Sequence, residues 1–242
     1  MQIRLQKYLS EQGICSRRQA EKFMLEGKVF VNGKPATVLG TKINPEVDTV
    51  SINNQIIRQR KNLIYIVVNK PVGVVTSCFQ PGSKTIVEIV KIKERIYPVG
   101  RLDKDSSGLL LLTNDGILAY RLSHPSFLHE KEYIVTVENR ITEGALEKLR
   151  RGMLIDGVKT QPAKVSKLSE RKFRIVLTEG RNRQIRKMCS KIDNEVVKLK
   201  RIRIENIKLG NLKPGEWRLL TPAEKKELFA RAEIDNEKIN RI

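Results

Sequence analysis

The sequence predicts an α+β fold in two unequal parts. A small helix-helix-hairpin domain occupies residues 1–60, and a larger domain over 61–232 carries a mixed, largely antiparallel sheet flanked by helices. A charged tail closes the chain over 233–242. Three observations lead there. At 242 residues the chain exceeds one small domain. Runs of strand character such as IYIVVNK, LLLLTN and KEYIVTVE alternate with helical patterns, but without the strict βαβ order of a parallel fold. Between the parts lies the basic stretch QIIRQRKN, residues 55–62, where the chain changes character and a linker is expected.

In the small domain, Ile3, Leu5, Tyr8 and Leu9 recur at roughly helical spacing, and Gly13 ends that helix. Ser16 is placed to cap a second helix, RRQAEKFMLE, with Gly27 as its stop. VFVNGKPATV follows as a hairpin turning at Asn32-Gly33, then the strand DTVSI before the turn Asn53-Asn54. The larger domain continues through IYIVVNK, TIVEIVK, RIYPVG, LLLLTN, GILAYRLS and KEYIVTVE to a helix, EGALEKLRRG, capped by Thr142. After KFRIVLTEG come a helix, NRQIRKMCSKI, and a strand, VVKLKRIRI. The last helix starts on a capping box of Thr221 and Glu224, with Pro222 at its first position.

Charge narrows the function. Forty-seven Lys and Arg against 27 Asp and Glu give a formal +20, a self-repulsion that a polyanionic partner relieves. Nucleic acid fits best, because neutralised phosphates release counterions. No segment approaches the ~20 apolar residues of a membrane span. Cys15, Cys78 and Cys189 are odd in number and far apart, which predicts no disulfide framework, and with two histidines they make no zinc spacing. The N-terminus MQIRLQKYLSEQG has no apolar signal core, so a cytoplasmic protein is expected.

The stretch RLQKYLSEQGICSRRQAEKFMLEGKVFVNGK, Arg4 to Lys34, resembles the RNA-binding module named after ribosomal small-subunit protein four. Arg17, Arg18 and Lys22 lie on its second helix, near an N-terminus whose free N–H groups favour an anion. Together with Arg4, Lys7, Lys28 and Lys34 they are the candidate phosphate contacts, which position an RNA without reading its bases.

GRLDKDSSGLLLLTNDG, residues 100–116, resembles the signature of RNA pseudouridine synthases of the RsuA/RluF type. The resemblance implies that Asp103 is the nucleophile: it attacks the anomeric carbon of a uridine or removes the neighbouring 2′ proton, and the freed uracil rejoins through carbon 5. EKEYIVTV and EGRNRQIRKMC match the same family. They imply that Tyr133 stacks on the target uracil and that Arg186 pairs with Asp103, keeping it ionised. Arg101 is implied to fill the space a flipped uridine leaves or to hold its displaced partner, and Leu102 and Lys104 beside it are candidate RNA contacts. Asn182, Arg183 and Gln184, at the start of a helix, are further candidate RNA contacts. NKPVGVVTS, VVKLKRIRI and GEWRLLT also match, so the resemblance runs to about Ala230.

The implied partner is structured ribosomal RNA, nearer in text to the large-subunit (23S rRNA) enzymes than to the small-subunit one, with a transfer RNA open as a second substrate. A monomer without membrane partner is expected. Neither metal nor organic cofactor is, because the rearrangement is redox-neutral and keeps every substrate atom. A zinc deaminase would need H-x-E and C-x-x-C, a nucleotide-dependent methyltransferase a glycine-rich loop, and neither is present. Paired carboxylates for glycoside hydrolysis would have to come from Asp105 or Asp115, without a second motif. The remaining rival is a non-catalytic RNA-binding assembly factor of the same fold.

This division of labour is testable. Removing residues 1 to about 60 should weaken RNA capture and flatten the salt dependence of binding, with turnover at saturating RNA suffering less than KM. A salt titration of affinity and saturation kinetics on the truncated and full-length chains check it; an unchanged salt slope would move the phosphate-reading role to KLKRIRIENIK.

Overall fold

The computed structural model describes residues 2–58 and 62–234. The N-terminal domain runs β1 (Ile3–Arg4), α1 (Leu5–Glu11), α2 (Arg17–Leu25), β2 (Val29–Val31), β3 (Lys34–Pro35), β4 (Lys42–Ile43), β5 (Val50–Ile52) and β6 (Gln55–Ile56). Ile3 was expected in the first helix and instead pairs with Ile43 in a short antiparallel ladder. The Leu5 N–H donates to the Thr41 carbonyl at 2.8 Å, so the helix begins only there. Ser16 caps α2 as expected, its Oγ accepting from the Gln19 N–H at 3.1 Å.

Both hairpin turns rest on positive φ at two successive residues, 50° and 77° at Asn32-Gly33 and 49° and 65° at Asn53-Asn54. That is the type I′ geometry whose twist suits paired strands. The second turn brings β6 onto β5, so Gln55 and Ile56, expected in the linker, complete a four-stranded sheet. The proposed boundary at 60/61 lies outside the described residues. Leu5, Leu9, Met24 and Val29 are fully buried at the centre of this domain.

The larger domain runs β7 (Tyr65–Lys70), α3 (Ile86–Val90), β8 (Tyr97–Val99), β9 (Ser107–Thr113), α4 (Gly116–Ser123), β10 (Lys131–Val137), α5 (Glu143–Arg151), β11 (Leu154–Ile155), β12 (Val158–Lys159), β13 (Lys164–Ser169), β14 (Lys172–Leu177), α6 (Gln184–Ser190), β15 (Val196–Ile204), β16 (Ile207–Lys208), β17 (Trp217–Leu219) and α7 (Pro222–Arg231). Its main sheet follows the order β13-β14-β10-β15-β9-β7-β17, with β16 beside β15 and β8 beside β9. The pairing of β9 with β15 is parallel, and it joins two antiparallel halves.

Burial explains the apolar runs. On β7 and β9, Ile66, Val68, Leu110 and Leu112 pack against Ile86 and Val90 of α3. The alternate residues Tyr65, Val67, Leu109 and Leu111 pack against α4 and α7. A strand covered on both faces has no polar face to display, hence four consecutive leucines. In the other half, Val135, Phe173 and Ile175 meet Leu146 and Leu149 of α5 and Met188 of α6.

Thr142 caps α5, and the capping box of Thr221 and Glu224 starts α7, both as expected. The helix expected from Asn182 starts at Gln184, because Arg183 takes a left-handed φ of 51°. The tail expected from residue 233 begins inside the fold: Ile234 is buried with α7, and Glu233 lies 3.7 Å from Arg121. Residues 235–242 lie outside the described ones.

The seam between the halves is set by Gly108. Its φ is +105°, and a Cβ there would stand 2.1 Å from the Arg201 carbonyl oxygen and 2.7 Å from the Arg201 nitrogen. Backbone cannot yield as a flexible side chain can, so Gly108→Ala should cost about 3 kcal/mol or more. A fall of roughly 10 °C in the melting temperature is expected for a chain of this size, and a melt within a degree or two of wild type would refute the contact.

Candidate active site

The loop of residues 100–106 joins β8 to β9 and carries Asp103. Sequence-distant hydrogen bonds hold its backbone. The Thr76 hydroxyl donates to the Leu102 carbonyl at 2.7 Å and accepts from the Leu102 N–H at 3.3 Å. The Gly73 N–H donates to the Lys104 carbonyl at 2.8 Å, and the Ser106 N–H closes back on the Asp103 carbonyl at 3.1 Å. The backbone is thus pinned on both sides of Asp103, while its side chain remains 35 % exposed. Beneath the loop, at the end of β7, Lys70 is fully buried and donates to the Pro71 carbonyl at 2.9 Å. Burial pulls its pKa down to about 8 against the opposing pull of Asp105 and Asp103.

The arginines fall otherwise than the resemblance implied. Arg183, not Arg186, has its guanidinium beside Asp103, Nη1 to Oδ2 at 3.8 Å, and it also lies 3.2 Å from Asp105. The left-handed Arg183 turns the chain just ahead of α6. Arg186, farther along, is anchored at its other end by the Val196 carbonyl at 3.0 Å. It reaches the Asp105 carboxylate at 3.2 Å, the Asp105 carbonyl at 3.2 Å and the Ser106 hydroxyl at 3.4 Å. Arg186 therefore braces the loop, and Arg183 supplies the nearer positive charge.

A cleft of about 280 Å³ opens beside the loop, lined by Arg101, Leu102, Asp103, Tyr133, Asn182 and Arg183 among others. Tyr133 sits mid-strand on β10, opposite Ile175 on one side and Arg201 on the other. Arg101 and Asn182 are exposed at the rim, Leu102 is buried in the wall, and Lys104 is exposed on the loop. Gln184 is not an open phosphate contact. It is buried, its Oε1 accepting from the Arg181 N–H at 3.0 Å and its Nε2 donating to Glu179 at 2.6 Å, so it holds the turn before α6.

The N-terminal cations lie apart from the cleft lining. Arg4, Arg17, Arg18, Lys22, Lys28 and Lys34 are exposed. Lys7 is half-buried, 3.6 Å from Glu11, and Lys28 lies 2.6 Å from Glu26. Lys22 stands in the last turn of α2, away from the N-terminus where it was expected to serve.

Sequence reasoning missed Thr76, Lys70, Lys131 and Arg201. The signal for one of them was available, since Lys70 ends an otherwise apolar run (IYIVVNK) whose strand is buried throughout; VVKLKRIRI offered none, because Lys198 and Lys200 of the same strand are exposed while Arg201 is buried. Arg201 is 2 % exposed, its Nε donating to the Leu109 carbonyl at 2.7 Å.

Thr76 gives a direct test of positioning. In Thr76→Val the buried Leu102 N–H and carbonyl lose their partner, at a cost of about 1–3 kcal/mol. Displacement of Asp103 should lower kcat on the order of 10²-fold. Thr76→Ser should retain both stability and rate; a Val variant turning over at the wild-type rate would show that the grip does not position Asp103.

Comparison with known proteins agrees with this architecture. Residues 64–191 match the family model described as RNA pseudouridylate synthase, and residues 3–48 match the S4 domain. The chain is 44% identical over 239 residues to the dual-specificity RNA pseudouridine synthase RluF of Escherichia coli (strain K12), covering 98% of this chain and 82% of that protein. It is 42% identical over 238 residues to the ribosomal large subunit pseudouridine synthase B of Bacillus subtilis (strain 168), covering 95% and 97% respectively. A solved pseudouridylate synthase crystal structure superposes with a TM-score of 0.69 at 31% identity, over 93% of this chain and 99% of that one. With the family signature spread over a matching fold and an S4 domain in front, the chain belongs to the RNA pseudouridylate synthase family.

Proposed function

We propose that this chain isomerises a uridine of structured ribosomal RNA to pseudouridine, with Asp103 as the nucleophile. The observation that carries the reading is the immobilised loop: Asp103 has a fixed backbone, an accessible carboxylate and Tyr133 in the same cleft. Such preorganisation removes much of the entropy of bringing a carboxylate to a ribose.

Position supports the following roles. The target uridine leaves its stack, at a cost of a few kcal/mol, and its base lies on the Tyr133 ring. Asp103 attacks the anomeric carbon or takes the 2′ proton; either step frees the uracil, which turns and rejoins through carbon 5. Arg183 offsets the charge of Asp103, and Arg186 holds the loop under it. Arg101 is proposed to fill the vacated stack or hold the displaced partner; its exposure at the rim supports this. The exposed cations of the N-terminal domain take the phosphates of the surrounding stem.

A large-subunit stem-loop is the proposed substrate and a transfer RNA a second one. Supporting this, the Bacillus subtilis relative is named for the large subunit and the Escherichia coli relative for dual specificity. The active unit is proposed to be a monomer, since Asp103, Tyr133 and Arg183 all come from one chain. No helix among the described residues is long and apolar enough to cross a membrane.

Asp103→Asn keeps the shape but removes the nucleophile. It should abolish pseudouridine formation in unmodified ribosomal RNA and leave RNA affinity largely intact. Mapping of new pseudouridines after incubation with each protein decides it; turnover near the wild-type rate would mean another group does the chemistry.

A further inference from the structure

Lys131 has no part in the scheme above, yet it lines the same cleft as Asp103 and Tyr133. It is the first residue of β10 and stands two positions before Tyr133, so both side chains leave the strand on one face. Same-face neighbours lie roughly 6.5–7 Å apart along a strand. A pyrimidine stacked on the Tyr133 ring thus has its edge within reach of the four-carbon stem of Lys131. The register partners of Lys131, Leu177 on β14 and Ile204 on β15, line the cleft too and give its amine apolar walls. Its Nζ donates to the His129 carbonyl at 3.0 Å, which uses one of an ammonium's three donors.

We propose that Lys131 is a catalytic residue whose ammonium donates a hydrogen bond to a carbonyl of the target uracil and stabilises the negative charge on that ring as the glycosidic bond breaks. The inference rests on the pseudouridine synthase reading above. It holds for either role of Asp103. In both, the electron pair of the C1′–N1 bond stays on the uracil, whose charge spreads over N1 and the two carbonyl oxygens. When carbon 5 forms its bond to C1′, Asp103 leaves C1′ or returns the 2′ proton. Carbon 5 then loses its proton and N1 gains one, so the product is an isomer of the substrate, and Lys131 keeps its own proton throughout. A fixed cation held beside the base acts where the charge develops.

Burial and the charge of Arg201 on β15 pull the pKa of Lys131 down to about 8, and Glu205, just after β15, opposes them. A lowered lysine pKa means the cation is present at lower pH and lost as pH rises through about 8. The rate of the chemical step should fall over that range. Lys70 titrates in the same region, so the assignment to Lys131 needs a variant that separates the two.

The experiment uses the full-length chain in single-turnover kinetics on a ribosomal RNA fragment. Lys131→Met should lose on the order of 10²–10³-fold in rate, as removal of one charge-stabilising donor does, with RNA affinity nearly unchanged. Lys131→Arg should keep most of the rate and lose the fall near pH 8, because a guanidinium stays protonated. In RNA carrying 5-fluorouridine at the target, carbon 5 has no proton to lose, so the step read is cleavage of the C1′–N1 bond; fluorine itself stabilises the ring anion there, so the Lys131→Met defect should shrink. A Met variant at the wild-type rate, an alkaline fall that survives in Lys131→Arg, or a defect unchanged by fluorine overturns the proposal. Thermal melts check that the Met variant folds; if it does not, the pH profiles of wild type and Lys131→Arg decide alone. Absence of pseudouridine with the wild-type chain sinks the earlier reading and this one with it, whereas an active wild type with an indifferent Lys131 sinks this one only.

Discussion

The Gly108 backbone lies against that of Arg201 with no room for a side chain between them, and this contact organises the domain. It is the parallel join of two antiparallel half-sheets, Ser107 to Lys200 and Gly108 to Arg201. One half, through β7, β8 and β9, carries the loop with Asp103; the other, through β10, β14 and β15, carries Tyr133 and Lys131. Neither half holds a site by itself. The cleft exists because the seam sets the nucleophile loop at the edge of the strand that bears the aromatic ring.

Rigidity at this site comes from backbone hydrogen bonds, and electrostatics acts within that frame. Thr76 and Gly73 hold the loop's main chain from one side, and Arg186 holds it from the other through the Asp105 carbonyl and the Ser106 hydroxyl. Asp105 takes the charge of two arginines, which leaves Asp103 the more lightly engaged carboxylate. That difference in pairing, not in exposure, suits the two acids to separate tasks: a tethered carboxylate is a strut, and a lightly paired one is the freer to react.

The excess of 20 positive charges divides in the same way. The cations of the N-terminal domain are mostly exposed, and a phosphate contact made there would not discriminate among uridines. Around the cleft, Lys70 and Arg201 are buried, Lys131 is partly so, and their charges are little screened. On the proposed function, surface charge serves to bring an RNA to the protein and buried charge to act on the one nucleotide that enters.

What the sequence by itself determined was local. The caps at Ser16, Thr142 and Thr221 and the Asn32-Gly33 turn all follow from interactions within a few residues. Asp103 was legible through a long, specific motif and Tyr133 only through a separate, shorter match to the same family, and the fold brings both to one cleft. The short ladder at Ile3 and the strand at Gln55 escaped, because two-residue pairings carry no periodicity. The choice of arginine beside Asp103 belonged to tertiary structure alone. Arg183 and Arg186 lie 80 and 83 positions beyond Asp103 and three apart from each other. Which one meets it depends on a single left-handed residue before α6 and on the anchoring of Arg186 by Val196. A motif preserves residue types in order, but the sign of one φ angle decides where a guanidinium points.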